Sequence, residues 1–283
     1  MPALARKNAH FILATALFLL FSLWWLYDYL TGTTLSFGLV MYSNTYFLMA
    51  FFAGLYGLVI SRKWGSVKSH LGKTMMFLSL GLLAQVFGQL SYSYLTYVMG
   101  IEVPYPSIGD LGYFGSIPLY IFGVLALMKV VKTGNAGMSK DSKVVSVLAP
   151  AAMLFICYIV FLNNRVFTFE EPLKSFLDFG YPLFQSLYVS LALVALYAAT
   201  KGMGGILRTR VLLLLFALVV QFIADFVFLY RADRGLVYPG GPTDYLYLIA
   251  YFVMALAIID FGLVFEKLRN GKVSSNGALD AVK

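Results

Sequence analysis

Residues 211–230 read VLLLLFALVVQFIADFVFLY. A helix rises about 1.5 Å per residue, so this run reaches across the ~30 Å hydrocarbon core of a bilayer. Its one carboxylate is Asp225. Arg208 and Arg210 stand before the run, and Arg231, Asp233 and Arg234 follow it, so charge marks both of its edges. Apolar stretches of similar length recur at about 11–30, 39–60, 75–97, 111–131, 144–162, 179–200 and 245–265. Eight spans follow, and they use most of the 283 residues. Backbone groups in lipid need internal partners, and these stretches are too long and too evenly apolar to be barrel strands. The expected fold is an all-α, polytopic membrane protein with eight transmembrane helices. A composition that is 60% hydrophobic and 12% charged agrees.

The charges orient the spans. With the N-terminus in the cytoplasm, 17 of the 21 Lys and Arg residues fall on the cytoplasmic side, and only Arg165, Lys174, Arg231 and Arg234 fall outside. Both termini are therefore expected in the cytoplasm, and the location is the cell membrane. The net charge of +8 is scattered over short loops, which argues for membrane topology and against nucleic acid. Cys157 is the only cysteine and lies in an apolar run, as a packing residue would. Arg6 and Lys7 precede an apolar run with no convincing cleavage site, so the first helix is expected to be retained. Residues 1–266 form one transmembrane domain, with hairpins at about 10–62, 72–132, 143–201 and 209–266. The polar stretch 267–283 is expected to be a disordered cytoplasmic tail.

Those hairpins rest on an internal repeat. D-x-x-Y occurs at Asp110 and Tyr113, at Asp178 and Tyr181, and at Asp244 and Tyr247, with separations 178 − 110 = 68 and 244 − 178 = 66. A further step of 66 back from Asp110 reaches Asn44 and Phe47, a degenerate first copy. Each copy is expected to start the even-numbered helix of a hairpin at its outer end. Gln85 and Gln89 are matched by Gln221 and Asp225, again four apart and so on one helix face. Two readings of the motif stand. Ser107 with Asp110, and Ser175 with Asp178, have the spacing of a capping box, and the Tyr one turn later suits an interfacial belt. Alternatively, the carboxylates and phenols contact a ligand.

The run VPYPSIGDLGY at 103–113, together with the weaker copy PTDYLY at 242–247, resembles the P-S-x-x-D-x-x-Y signature in the multi-helix membrane sensor regions of prokaryotic diguanylate cyclases and histidine kinases. That resemblance implies an input module that senses something at or within the membrane and moves helices to drive a cytoplasmic output. Here the chain ends at Lys283 without a cyclase-like or kinase-like segment, so a freestanding sensor acting through a separate partner is expected.

Asp225 is costly at its depth in the seventh span, and Gln221 and Gln89 are its expected companions. A structural interhelical hydrogen bond is the alternative. Asp260 is expected to snorkel toward Lys267 or the interface. Fourteen tyrosines fall toward the outer half: Tyr27, Tyr29, Tyr42, Tyr46, Tyr92, Tyr94, Tyr97, Tyr105, Tyr113, Tyr181, Tyr230, Tyr238, Tyr245 and Tyr247. They suit either an outward-opening aromatic pocket for a small apolar ligand or lipid, or an ordinary belt. Pro118 and Pro182 are expected in the first turns of their helices. Gly54, Gly57 and Gly123 are expected to permit close helix packing.

His10 and His70 form no HExxH-type cluster, and no nucleophile elbow or P-loop is present. No catalytic residue, metal ligand or cofactor is therefore assigned. The leading expectation is a non-enzymatic membrane sensor with a candidate ligand set of Asp225, Gln221, Gln89, Gln85, Asp110, Tyr113, Asp178, Tyr181, Asp244 and Tyr247. Its partners would be membrane lipid, a small apolar ligand and a signalling protein. A small secondary transporter using Asp225 is the second reading, and a lipid-modifying enzyme the third.

Overall fold

The computed structural model describes residues 2–32, 36–133, 140–163 and 165–270. The segment 271–283, which holds most of the expected tail, lies outside the described residues. Within them the chain is helical, with no strand: α1 (Pro2–Thr31), α2 (Phe37–Ser43), α3 (Leu48–Lys63), α4 (His70–Ser93), α5 (Ile108–Thr133), α6 (Lys140–Cys157), α7 (Pro172–Gly202), α8 (Arg208–Ala232) and α9 (Pro242–Arg269). Single π-helical turns, Tyr94–Val98 and Tyr158–Leu162, continue α4 and α6. Eight of the resulting spans are long and apolar enough to cross a membrane, the second being α2 and α3 taken together. The coarse architecture is that of a multi-pass α-helical membrane protein.

Most helices outrun their apolar stretches, and the sixth span starts at Pro172 instead of near 179. A proline at the first helical position has its φ already set and no N–H to leave unpaired, so the helix begins there. Pro118 and Pro182 consequently lie well inside α5 and α7, not in their first turns as expected. Each deprives the carbonyl four residues earlier, on Phe114 and Asp178, of its helical donor. The second span departs in another way. Asn44 does not open it, because the helix begins at Phe37 and breaks at 44–47, with Asn44 closing α2.

Six spans close into a ring whose neighbours run α3, α4, α5, α7, α8, α9 and back to α3. A shift of four spans maps this order onto itself: α3 with α4 becomes α7 with α8, α4 with α5 becomes α8 with α9, and α5 with α7 becomes α9 with α3. The remaining helices sit outside the ring, α1 chiefly on α9 and α6 chiefly on α7. Only 11% of the spanning window of each is buried, against 61% for α4 and α9. α1 is held by Phe18 stacked on Phe252 at 4.1 Å and by the Trp25 indole N–H, which donates to the Gly240 carbonyl at 2.8 Å.

Helix association in lipid draws on close van der Waals contact and hydrogen bonds, since the hydrophobic effect no longer separates the helices from their solvent. Gly112 shows the first. A Cβ there would fall on the Ala84 carbonyl and the Gly88 amide, so only glycine lets α4 and α5 come so near. Gly54, Gly57 and Gly123 likewise face Leu83, Ser79 and Leu78 with no room for a side chain. At the end of the ring that carries the termini, Trp64 is buried edge-on against Phe261 and Phe265, and its indole N–H donates to the Phe261 carbonyl at 3.3 Å. Asp260 pairs there with Arg210 at 3.1 Å rather than turning toward Lys267, because Arg210 opens the neighbouring α8.

Candidate functional site

At the opposite end, where the D-x-x-Y motifs lie, the six ring spans part around an axial chamber of about 600 Å³. Nine of the ten candidate residues line it: Gln85 and Gln89 from α4, Asp110 and Tyr113 from α5, Asp178 and Tyr181 from α7, Asp225 from α8, and Asp244 and Tyr247 from α9. The tenth, Gln221, lies one turn below Asp225, fully buried and outside the lining.

The three motif aspartates are held in two ways. Asp110 and Asp244 act as caps: Asp110 Oδ2 accepts the Ser107 N–H at 2.7 Å, and Asp244 Oδ2 accepts the Gly240 N–H at 2.8 Å. Each meets a backbone donor left free at a helix start. Asp178 does not cap. Because α7 begins at Pro172, Asp178 sits in the second turn and Ser175 bonds Thr168 instead, so the expected second capping box is not formed. Asp178 accepts the Tyr105 hydroxyl at 2.9 Å and pairs with Arg165 at 3.3 Å.

The motif tyrosines turn inward: Tyr181 ties α7 to α5, while Tyr113 ties α5 to α4 and Tyr247 ties α9 to α8. Tyr181 donates to Asp110 Oδ1 at 2.7 Å, Tyr113 to Gln89 Oε1 at 2.9 Å, and Tyr247 to Asp225 Oδ1 at 3.0 Å. Gln89 was expected beside Asp225. Its Nε2 donates instead to the Ser43 carbonyl at 3.0 Å. The break after α2 makes Ser43 one of the last carbonyls of a helix, without an intrahelical donor. Gln85 Nε2 donates to Ser116 Oγ at 2.8 Å.

Asp225 is 3% exposed and accepts three neutral donors: Gln221 Nε2 at 3.1 Å, Tyr247 at 3.0 Å and Tyr188 at 2.8 Å, the last on Oδ2. The interhelical bonds expected of it are present, joining α8 to α7 and α9. Arg165 lies across the chamber mouth, where it pairs with Asp233 as well as Asp178. Tyr105 lies in the same layer, on the connection between α4 and α5. Burial, then its hydrogen bond to Asp178, pushes its phenol well above the usual range, so it stays protonated and donating near neutral pH.

Of the fourteen outer tyrosines, Tyr46, Tyr92, Tyr105, Tyr113, Tyr181, Tyr238 and Tyr247 line the chamber. Tyr27, Tyr29, Tyr94, Tyr97 and Tyr230 are exposed, as a belt would be. Pocket and belt thus account for twelve, while Tyr42 is buried in the core and Tyr245 stacks on Trp25. Sequence reading missed Arg165, Gln185, Tyr188 and Tyr251. For Tyr188 a signal existed: Tyr120 and Tyr188 both follow a motif Asp by ten positions, and their rings meet at 5.8 Å. Arg165 carried none, since it belongs to no repeat. Among the described residues no group of three or more His, Cys, Asp and Glu is placed to hold a metal ion. Comparison with protein-family models, curated proteins and solved structures finds no match for this chain.

Proposed function

We propose that the protein is a receptor module of the cell membrane that binds a small molecule in the axial chamber and passes the resulting change in the ring to its terminal face. The observation that carries this reading is the chamber itself. It has the size of a small-molecule site, and side chains from all six ring spans line it or adjoin the break in the second. A ligand there touches five helices of the ring and the break before the sixth, which allows differential contact with two arrangements of the bundle. The excess of Lys and Arg in the loops at the terminal end supports an orientation with both termini cytoplasmic, the chamber on the outer side and the basic loops against anionic lipid or a signalling partner. The sensor-region resemblance points the same way.

The test is native mass spectrometry of the protein released from its own membranes. A bound small molecule that disappears in Gln185→Trp, a substitution that fills the chamber, supports the reading. An empty chamber in protein that is otherwise intact removes it. One feature favours transport as a second reading: the break at 44–47 puts an unwound segment beside the chamber, as in carriers with discontinuous helices. Concentrative uptake of the molecule into vesicles would decide for transport. Labelling of single cysteines placed at Val67 and Phe169, with Cys157 replaced by Ser, reports the orientation.

A further inference from the structure

The identity of the side chains without partners narrows the chemistry of the ligand. Among the described residues five carboxylates belong to ion pairs: Asp178 and Asp233 with Arg165, Glu171 with Lys174, Glu266 with Lys63, and Asp260 with Arg210. Asp110, Asp225 and Asp244 have no cationic partner among the described residues, and all three line the chamber. Their hydrogen bonds come from neutral donors only. An ionised carboxylate offers about four acceptor positions, and Asp244 uses one of them. The two cations that line the chamber, Arg165 and Lys174, are committed to Asp178, Asp233 and Glu171.

A second observation is independent of the acids. Gln185 and Tyr46 are 6% and 5% exposed, both line the chamber, and neither the Gln185 amide nor the Tyr46 hydroxyl has a hydrogen-bond partner among the described residues. Both side chains are more than nine-tenths buried, and neither spends its polar end on the protein, so each is available to a guest in the chamber. Tyrosine side chains are prominent in the lining, and aromatic rings attract organic cations.

We propose that the chamber takes a small organic cation, an ammonium-bearing molecule whose charge sits near Asp244 and whose polar end meets Gln185 and Tyr46. This rests on the receptor reading above and deepens it. An anion would face three uncompensated carboxylates, and a purely apolar guest would desolvate them together with the unpaired amide. A cation answers all of these at once.

The test uses the full chain in nanodiscs and three probes of matched shape: choline, its neutral isostere 3,3-dimethylbutanol, and the anion 3,3-dimethylbutyrate. Choline is expected to stabilise the protein against heat at about a tenfold lower concentration than the isostere, the difference that one modest charge interaction makes. In Asp244→Asn, which keeps an oxygen for the Gly240 N–H, that preference is expected to fall below about twofold. Asp110→Asn serves if the first variant misfolds. If the isostere or the anion stabilises the protein as well as choline does, and Gln185→Trp abolishes that effect, the cation class is overturned and the receptor stands. If none of the probes stabilises the protein, this proposal falls; an empty chamber in the native mass spectrum would remove the receptor as well.

Discussion

The two ends of the ring are built from the same six spans and differ in nearly everything else. At the terminal end Ile60, Trp64, Leu71, Met75, Val211 and Phe261 are buried to 2% exposure or less and fill the axis. At the motif end the axis is left open, and carboxylates, amides and phenols face one another across it. Apolar residues can interdigitate to native density because each contact is weak and non-directional. Hydrogen-bonded pairs such as Tyr181 with Asp110 and Tyr188 with Asp225 fix both distance and direction, and so hold the helices at a set separation. One end of the ring is held by shape and the other by bond geometry.

Substitutions at the two ends put this contrast to the test. Trp64→Ala empties the packed axis and is expected to cost about 3–5 kcal/mol, the range for a large buried ring. Equilibrium unfolding in mixed micelles reads it, and a loss below about 1 kcal/mol would show that the terminal end is not held by packing. Asp225→Ala removes three hydrogen bonds, each worth roughly 0.6 kcal/mol in membrane proteins, so a loss of about 2 kcal/mol is expected. Asp225→Asn, which keeps two acceptor positions, should recover about half of it. Equal losses in the two variants would mean that the charge, not the bonding, matters at that position.

Arg165→Ala is expected to cost less than about 1 kcal/mol, because the ion pairs at the mouth are partly exposed and screened. The same variant should speed ligand exchange, measurable by stopped-flow displacement; unchanged rates would separate Arg165 from entry altogether. Gln185→Ala is expected to change stability by no more than about 0.5 kcal/mol, since its side chain gives up no bond within the protein. It should weaken ligand binding nonetheless. A large stability loss would reveal a structural role that the unpaired amide does not suggest.

The eight spans were legible in the sequence because lipid enforces them: each run is nearly free of charge, and a helix has to follow. The convergence of nine candidate residues on one chamber is foreshadowed by the equal spacing of the motif, since residues repeated at one helix end recur at one depth. What stayed hidden was set by tertiary contact. Nothing in the sequence near Arg165 says that it meets Asp178 of α7 and Asp233 just past the end of α8. The pairing of Gln89 with Ser43 depends on a helix break that propensity does not announce, since residues 37–63 read as nearly continuous apolar sequence. Pro172 was passed over as a helix start because the residues just after it, Lys174 and Ser175, interrupt the apolar run.

The four-span shift in the ring has one more consequence. Gln85 and Gln89 in the first half of the chain answer to Gln221 and Asp225 in the second, and Asn44 answers to Asp178, since 178 − 44 = 134 and 244 − 110 = 134. Two identical half-length chains would have to present the same group on both sides of the axis. A single continuous chain is free of that obligation, and this one sets the amides Asn44 and Gln89 in one half against the acids Asp178 and Asp225 in the other. An elongated guest therefore has a head and a tail in this chamber, and of its two ways of lying across the axis only one is favoured.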